Sequence, residues 1–136
     1  MKGSMPAMVA VVLAVGCEAP SSPLAVRIQT ESPSYQLGAP ITFTVTNLGG
    51  SSVFLARCCE VSTAVDRWQD GRWLGFSSGG CLAICPMDAI ELGPWGSYGG
   101  TTGISDTGRY RLHLGVATSR SREPNWSPTS NPFEVR

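Results

Sequence analysis

The chain has 136 residues, ten of them basic and ten acidic, for a formal net charge of zero. That length fits one domain with a modest core, and the neutrality argues against a nucleic-acid binder or a polybasic membrane-surface protein, both of which need a concentrated positive field. Sixteen glycines and ten prolines, with many Ser and Thr, leave little room for long helices and point to an all-β chain rich in turns.

The N-terminal stretch MKGSMPAMVAVVLAVGC puts one positive charge before an apolar run from Ala7 to Val15 that is too short to span a bilayer. Residues 1–16 read as an export signal. Leu13-Ala14-Val15-Gly16-Cys17 resembles the bacterial lipobox, in which cleavage precedes a Cys that carries a diacylglyceryl group. Leu stands one place early, and small residues at Ala14 and Gly16 also suit an ordinary signal peptidase. Parity favours lipidation. Five cysteines leave an odd one in an exported protein, and acylating Cys17 leaves four. Residues 17–23 are then the lipidated Cys and a short Pro/Ser tether, held durably because two or three acyl chains bind a bilayer where one does so only marginally. Glu18 after the Cys resembles an outer-membrane sorting context, which places the domain on the periplasmic side in a Gram-negative host.

Residues 24–136 alternate short apolar runs with turn signals: LAVRIQT (24–30), ITFTVTN (41–47), VFLARC (53–58), AVDRW (64–68), RWLGF (72–76), AIEL (89–92), YRLHLGV (110–116) and PFEV (132–135). In ITFTVTN, Ile41, Phe43 and Val45 fall on one face and three threonines on the other, the period of a strand with one buried side. Asp70-Gly71 between two such runs fits a tight hairpin. Trp68 and Trp73 flank that turn, and one of them is expected to pack in the core. Strands at this spacing imply a single antiparallel β-sandwich or barrel of about seven or eight strands.

Asp106-Thr107-Gly108-Arg109-Tyr110 has the D-x-G-x-Y spacing of the tyrosine corner, in which Asp106, Gly108 and Tyr110 set the start of a late strand and the tyrosine hydroxyl returns to upstream backbone. With Tyr35-Gln36-Leu37-Gly38, the Leu92-x-Pro94 turn, GRYRLHLGV and the closing SNPFEV, the chain from residue 24 onward resembles the bacterial Ig-like domains of exported proteins and lipoproteins. The resemblance implies an Ig-like sandwich and a binding or structural role. It departs at Trp95, where such domains commonly carry Gly after the Pro, and this expects a Trp at the surface.

Four cysteines follow the tether: Cys58 and Cys59 adjacent, then Cys81 and Cys85 in C-x3-C. Adjacent residues on a strand point to opposite faces, which disfavours one shared zinc ion, and exported compartments oxidise thiols. Disulfides are expected, and the strain of a vicinal ring favours links between the two segments. Each would close about 23 to 28 residues, on the order of 3 kcal/mol in the entropic description.

Gly75-Phe76-Ser77-Ser78-Gly79 matches G-x-S-x-G, with Asp88 or Asp106 and then His113 following in hydrolase order. That motif needs a strand leading into a helix on a parallel sheet, and this chain offers neither. Alternation puts His113, the single His, on the outer face of its strand beside Arg111. Trp95 and Trp126 lie in Pro-rich loops and are candidate anchors for a protein or glycan, with packing over a sheet edge as the competing role. The sequence thus describes a non-catalytic, lipid-anchored Ig-like module at the bacterial envelope, needing no metal or cofactor. Its partners are an envelope protein or glycan, and the membrane through the anchor. An Ig-like proteinase inhibitor and a small hydrolase using Ser77 and His113 are the alternatives.

Overall fold

A computed structural model describes residues 25–58, 60–77, 87–120, 123–124 and 126–136. Among them are twelve strands: β1 (Val26–Thr30), β2 (Ser34–Tyr35), β3 (Ile41–Asn47), β4 (Val53–Cys58), β5 (Glu60–Val61), β6 (Thr63–Gln69), β7 (Arg72–Ser77), β8 (Met87–Leu92), β9 (Ser97–Thr102), β10 (Gly108–Leu114), β11 (Val116–Ala117) and β12 (Phe133–Val135). All eight apolar runs coincide with strands. The two-residue strands β2 and β5 and the six-residue β9 lie outside those runs, and β11 continues the run from Tyr110 after a break at Gly115.

The first layer is β1-β3-β9, antiparallel throughout. The second is β2-β12-β10-β6-β7, extended by β11-β4 with β5 and β8 on β4. In the second layer β11 follows β10 after Gly115, and β4 lies beside β11 with Leu55 opposite Val116. Thr63 of β6 then lies opposite Leu114. One strand therefore makes an excursion over residues 56–62, where β4 and β5 form a narrow hairpin with Cys58 opposite Glu60. The neighbouring line is interrupted at the matching place, β7 ending at Ser77 opposite Val65 and β8 beginning at Met87 opposite Cys58.

The inner faces meet in one core. Ile28, Ile41, Phe43 and Val45 from the first layer pack with Val53, Leu55, Val65, Tyr110, Leu112, Leu114, Val116 and Phe133 from the second. The edge is closed by the first strand, which pairs with β3 while Ile28 bridges to Ser130 beyond it, after which β2 joins β12 in parallel. Asn131 fastens that edge by accepting the Thr30 N–H and donating to the Thr30 hydroxyl. The hairpin at Asp70-Gly71 has positive φ at both residues, as a two-residue turn matched to strand twist requires.

β9 (SYGGTT) escaped detection because glycine is a poor strand former, yet the packing demands it. A Cβ at Gly100 would lie 2.5 Å from Cζ of the buried Phe43 ring, which fills the position opposite.

One end of the sandwich gathers the first described residue and three connections. Leu48 N–H donates to Ala25 O, the 48–52 turn follows β3, the Gly93–Gly96 turn joins β8 to β9, and the chain leaves β11 at Ala117, with Trp126 bridged to Val116. The Asp70 turn, the 103–107 connection and Arg136 lie at the other end.

Candidate functional site: the outer face of the second layer

Two-residue hairpin geometry sets Trp68 directly opposite Trp73, so both rings must share a face. That face is the outer one, because Val65 points inward and alternation sends Ala64, Asp66 and Trp68 outward. Neither Trp therefore reaches the core, contrary to the sequence expectation. They stack edge to face at 5.1 Å instead, with Trp68 39% exposed.

β10 delivers Arg109, Arg111 and His113 to the same face, because Tyr110, Leu112 and Leu114 are buried beneath. The Arg109 guanidinium lies 5.9 Å from the Trp68 ring and that of Arg111 lies 4.7 Å from Trp73. Arg111 Nε donates to Asp66 Oδ2 at 2.8 Å. Among the described residues that carboxylate is its only hydrogen-bond partner, which leaves both terminal nitrogens available. Glu134 lies across from Arg109 but pairs with Arg136 at 2.7 Å. The face therefore presents two guanidinium groups with spare donors, each backed by an indole. Such a surface suits a ligand that combines carboxylate or hydroxyl acceptors with flat apolar faces.

Beside this strip runs a Ser, His, Asp line that the sequence order did not reveal. His113 Nε2 lies 3.2 Å from Asp66 Oδ1, and its Nδ1 lies 3.0 Å from Ser127 Oγ. With a proton on Nε2 for the carboxylate, Nδ1 accepts from the serine hydroxyl. The N–H after a nucleophile is a frequent oxyanion donor, but the next residue is Pro128, which has none. The line instead clips the segment holding Ser127 to β10, where His113 also bridges to Thr129. Ser77, the serine of G-x-S-x-G, ends strand β7 without a helix after it among the described residues, and is not a partner of His113. Asp88 is engaged elsewhere, at 2.9 Å from Arg57 and 3.3 Å from Arg120. The Ala89 N–H, and then Arg57, hold its carboxyl below the usual range.

The tyrosine-corner residues assemble at the opposite end of β10. Tyr110 is fully buried, and its hydroxyl donates to Asp106 O at 3.0 Å and Thr107 O at 3.3 Å. A Cβ at Gly108 would come within 3.2 Å of the Tyr110 ring. Burial raises the phenol above its ordinary value, with the Arg67 charge opposing.

The two loop tryptophans part company. Trp126 is half-buried against the core and pairs with Val116 through backbone hydrogen bonds in both directions. Trp95 is 73% exposed with φ of 63°, the left-handed conformation that glycine adopts most readily. Cys58 takes part in a disulfide. Cys17, Cys59, Cys81 and Cys85 lie outside the described residues, as does the choice between bridges and zinc for the last three. The paired indoles of the outer face carry a signal in the sequence: Trp68 and Trp73 are equidistant from Asp70-Gly71, which fixes their pairing without a structure.

A first strand split between two facing layers, a tyrosine corner and antiparallel pairing over one core define an Ig-like β-sandwich. No protein-family model matches the chain, and no curated protein matches it in sequence. Among solved structures it is similar to a Pseudomonas fluorescens alkylpurine DNA glycosylase, AlkC, bound to DNA with an abasic site analog. Identity is 18% and TM-score 0.43, over 82% of this chain and 30% of that one. A CARDB domain from Pyrococcus furiosus, in complex with di-metal ions, is 17% identical with TM-score 0.39, over 83% and 89% of the two chains. PapD-like domain 7 of human CEP192 is 16% identical with TM-score 0.33, over 96% and 94%. At these scores the likenesses say nothing about ligand or activity, and the chain spans less than a third of the glycosylase.

Proposed function

We propose that this chain is a non-catalytic Ig-like binding module, exported and held by acylated Cys17 at the bacterial envelope, on the periplasmic side of the outer membrane in a Gram-negative host. Its ligand, an envelope protein or glycan carrying acidic or hydroxyl groups, docks on the outer face of the second layer. The observation that carries this reading is the Trp68, Trp73, Arg109, Arg111 strip, where guanidinium groups lie on indole rings and, among the described residues, only Arg111 Nε has a protein acceptor. A purely structural face would spend those donors on neighbouring carboxylates, as Arg136 does with Glu134.

The same proposal makes the cysteines staples between the two excursions of the second layer. Cys58 lies opposite Met87, and Cys85 precedes Met87 by two residues, within about 7 Å along even a fully extended chain. A bridge needs Cα atoms roughly 4.4 to 6.8 Å apart, a separation this register permits.

The test is binding of the purified mature protein to fractionated envelope: peptidoglycan, outer-membrane glycolipid and envelope proteins. Arg109→Ala and Trp68→Ala should each lose binding at least tenfold while keeping the wild-type unfolding midpoint. Equal binding by wild type and both folded variants, or failure of every fraction to bind, would remove the outer face from consideration.

A further inference from the structure

We propose that the Gly93–Gly96 turn is a membrane-contact element, in which Trp95 inserts at the headgroup level of the bilayer that holds the acyl anchor and so fixes the orientation of the domain. This rests on the reading of Cys17 as acylated. It is carried by three observations at one end of the sandwich.

The first is position. Leu48 N–H donates to Ala25 O, and Val26 lies opposite Asn47, so the chain joins the sandwich beside the 48–52 and 93–96 turns. Eight residue steps separate Cys17 from Ala25, at most about 28 Å of fully extended chain. That is short enough to keep this end close to the surface. The second is chemistry. The two turns read LGGSS and GPWGS and themselves carry no charge, while Arg120 and Glu123 follow β11 at this same end. Among the described residues Trp95 is the most exposed large hydrophobic. An indole with an apolar body and an N–H is the side chain that favours the membrane interface.

The third is rigidity. Trp95 N–H donates to Asn47 O at 2.8 Å, Gly96 N–H to Gly93 O, and Asn47 N–H to Gly96 O. Asn47, fully buried, donates from its amide to Ser51 O, Leu92 O and Gly93 O and accepts from Gly49 N–H, which locks the two turns together. A bulky residue held at positive φ on a locked turn, with its ring in water, is an outlier that packing within the domain does not explain. Insertion of that ring into lipid gives it a use.

The experiment takes the full mature protein from the envelope, confirms acylation by intact mass, and reconstitutes it in phosphatidylcholine and phosphatidylglycerol vesicles with dibrominated chains. Bromolipid should quench wild-type tryptophan emission, and Trp95→Phe should reduce that quenching at least twofold. Trp95→Gly should do the same while raising the denaturant midpoint, a combination that a merely structural Trp cannot give. Equal quenching in wild type and both variants, with Cys17 acylated, overturns the membrane contact and leaves the anchor standing. Shielding of Trp95 from iodide without vesicles assigns the turn to a protein contact and overturns it too. An unmodified Cys17 overturns anchor and contact together.

Discussion

Replacing Trp95 separates backbone strain from side-chain hydrophobicity. With φ at 63°, its Cβ crowds the following carbonyl, which costs an L-residue about 1 to 2 kcal/mol relative to glycine. Glycine gives part of this back, because its unfolded chain is freer by about 0.4 to 1 kcal/mol. The ring is 73% exposed, so little burial is lost on removing it. Trp95→Gly should therefore stabilise the domain by about 0.5 to 1 kcal/mol. Trp95→Ala keeps the Cβ and with it the strain, and should leave stability unchanged or slightly lower. Urea unfolding of the detergent-solubilised protein, followed by far-ultraviolet circular dichroism so that losing an indole does not alter the probe, reads both midpoints. If alanine gains as much as glycine, the exposed ring and not the backbone carried the cost. If glycine gains nothing, the turn is unstrained and the rigidity argument for membrane contact fails.

Tyr110→Phe should cost about 1 to 2 kcal/mol in the same assay, because a buried hydroxyl loses two carbonyl acceptors that exposed Asp106 and Thr107 can rehydrate only in part. The phenol's folded pKa lies above its unfolded value of about 10. Its contribution is thus complete below that pH and lost as pH rises through the folded value, an alkaline dependence that Tyr110→Phe should lack. Gly100→Ala should cost about 2 kcal/mol by driving a methyl into the Phe43 ring. In combination with Phe43→Leu the two losses should be less than additive, as a thermodynamic cycle on unfolding would show. Cys58→Ser should lower stability by about 3 kcal/mol, and non-reducing peptide mapping should join the Cys58 peptide to the one holding Cys81 and Cys85. A bridge from Cys58 to any other cysteine would refute the register argument.

The parts of the fold that follow from alternation could be read directly. ITFTVTN became β3 over the same residues, since Ile41, Phe43 and Val45 point inward, the three threonines point outward, and the inward Asn47 closes the strand. β9 could not be read this way, because its glycines report the volume of Phe43 on a strand far away in sequence. A local propensity cannot contain that information. The placement of Trp68 and Trp73 was legible from the turn between them, but burial was assigned by hydrophobicity, and size misled: the cross-strand rule outweighs the preference of an indole for the core. The Asp66, His113 and Ser127 line was hidden for a different reason. Its members sit on β6, on β10 and on the segment between the bridges at Trp126 and Thr129, with no local motif around any of them, so only pairing brings them together.

The two proposed surfaces lie at opposite ends of the second layer, and this makes them testable against each other. Trp95 lies with the 48–52 turn, whereas Trp68 sits beside Arg109 near the start of β10. From Gly108 to Ala117 the strand line runs roughly 30 Å at about 3.3 Å per residue. With the Trp95 end on the bilayer, the Arg109 and Arg111 strip stands well clear of the headgroups, open to a ligand approaching from the envelope space. Bromines in the acyl chains would then be too distant to quench Trp68 or Trp73, and whatever lipid quenching persists in Trp95→Phe must come from Trp126, paired with Val116 near the membrane end. Trp126→Phe in the Trp95→Phe background should abolish it. Persistent quenching in that double variant would mean that the strip itself lies on the lipid, with the domain turned on its side and the outer face serving as the membrane contact in place of the turn.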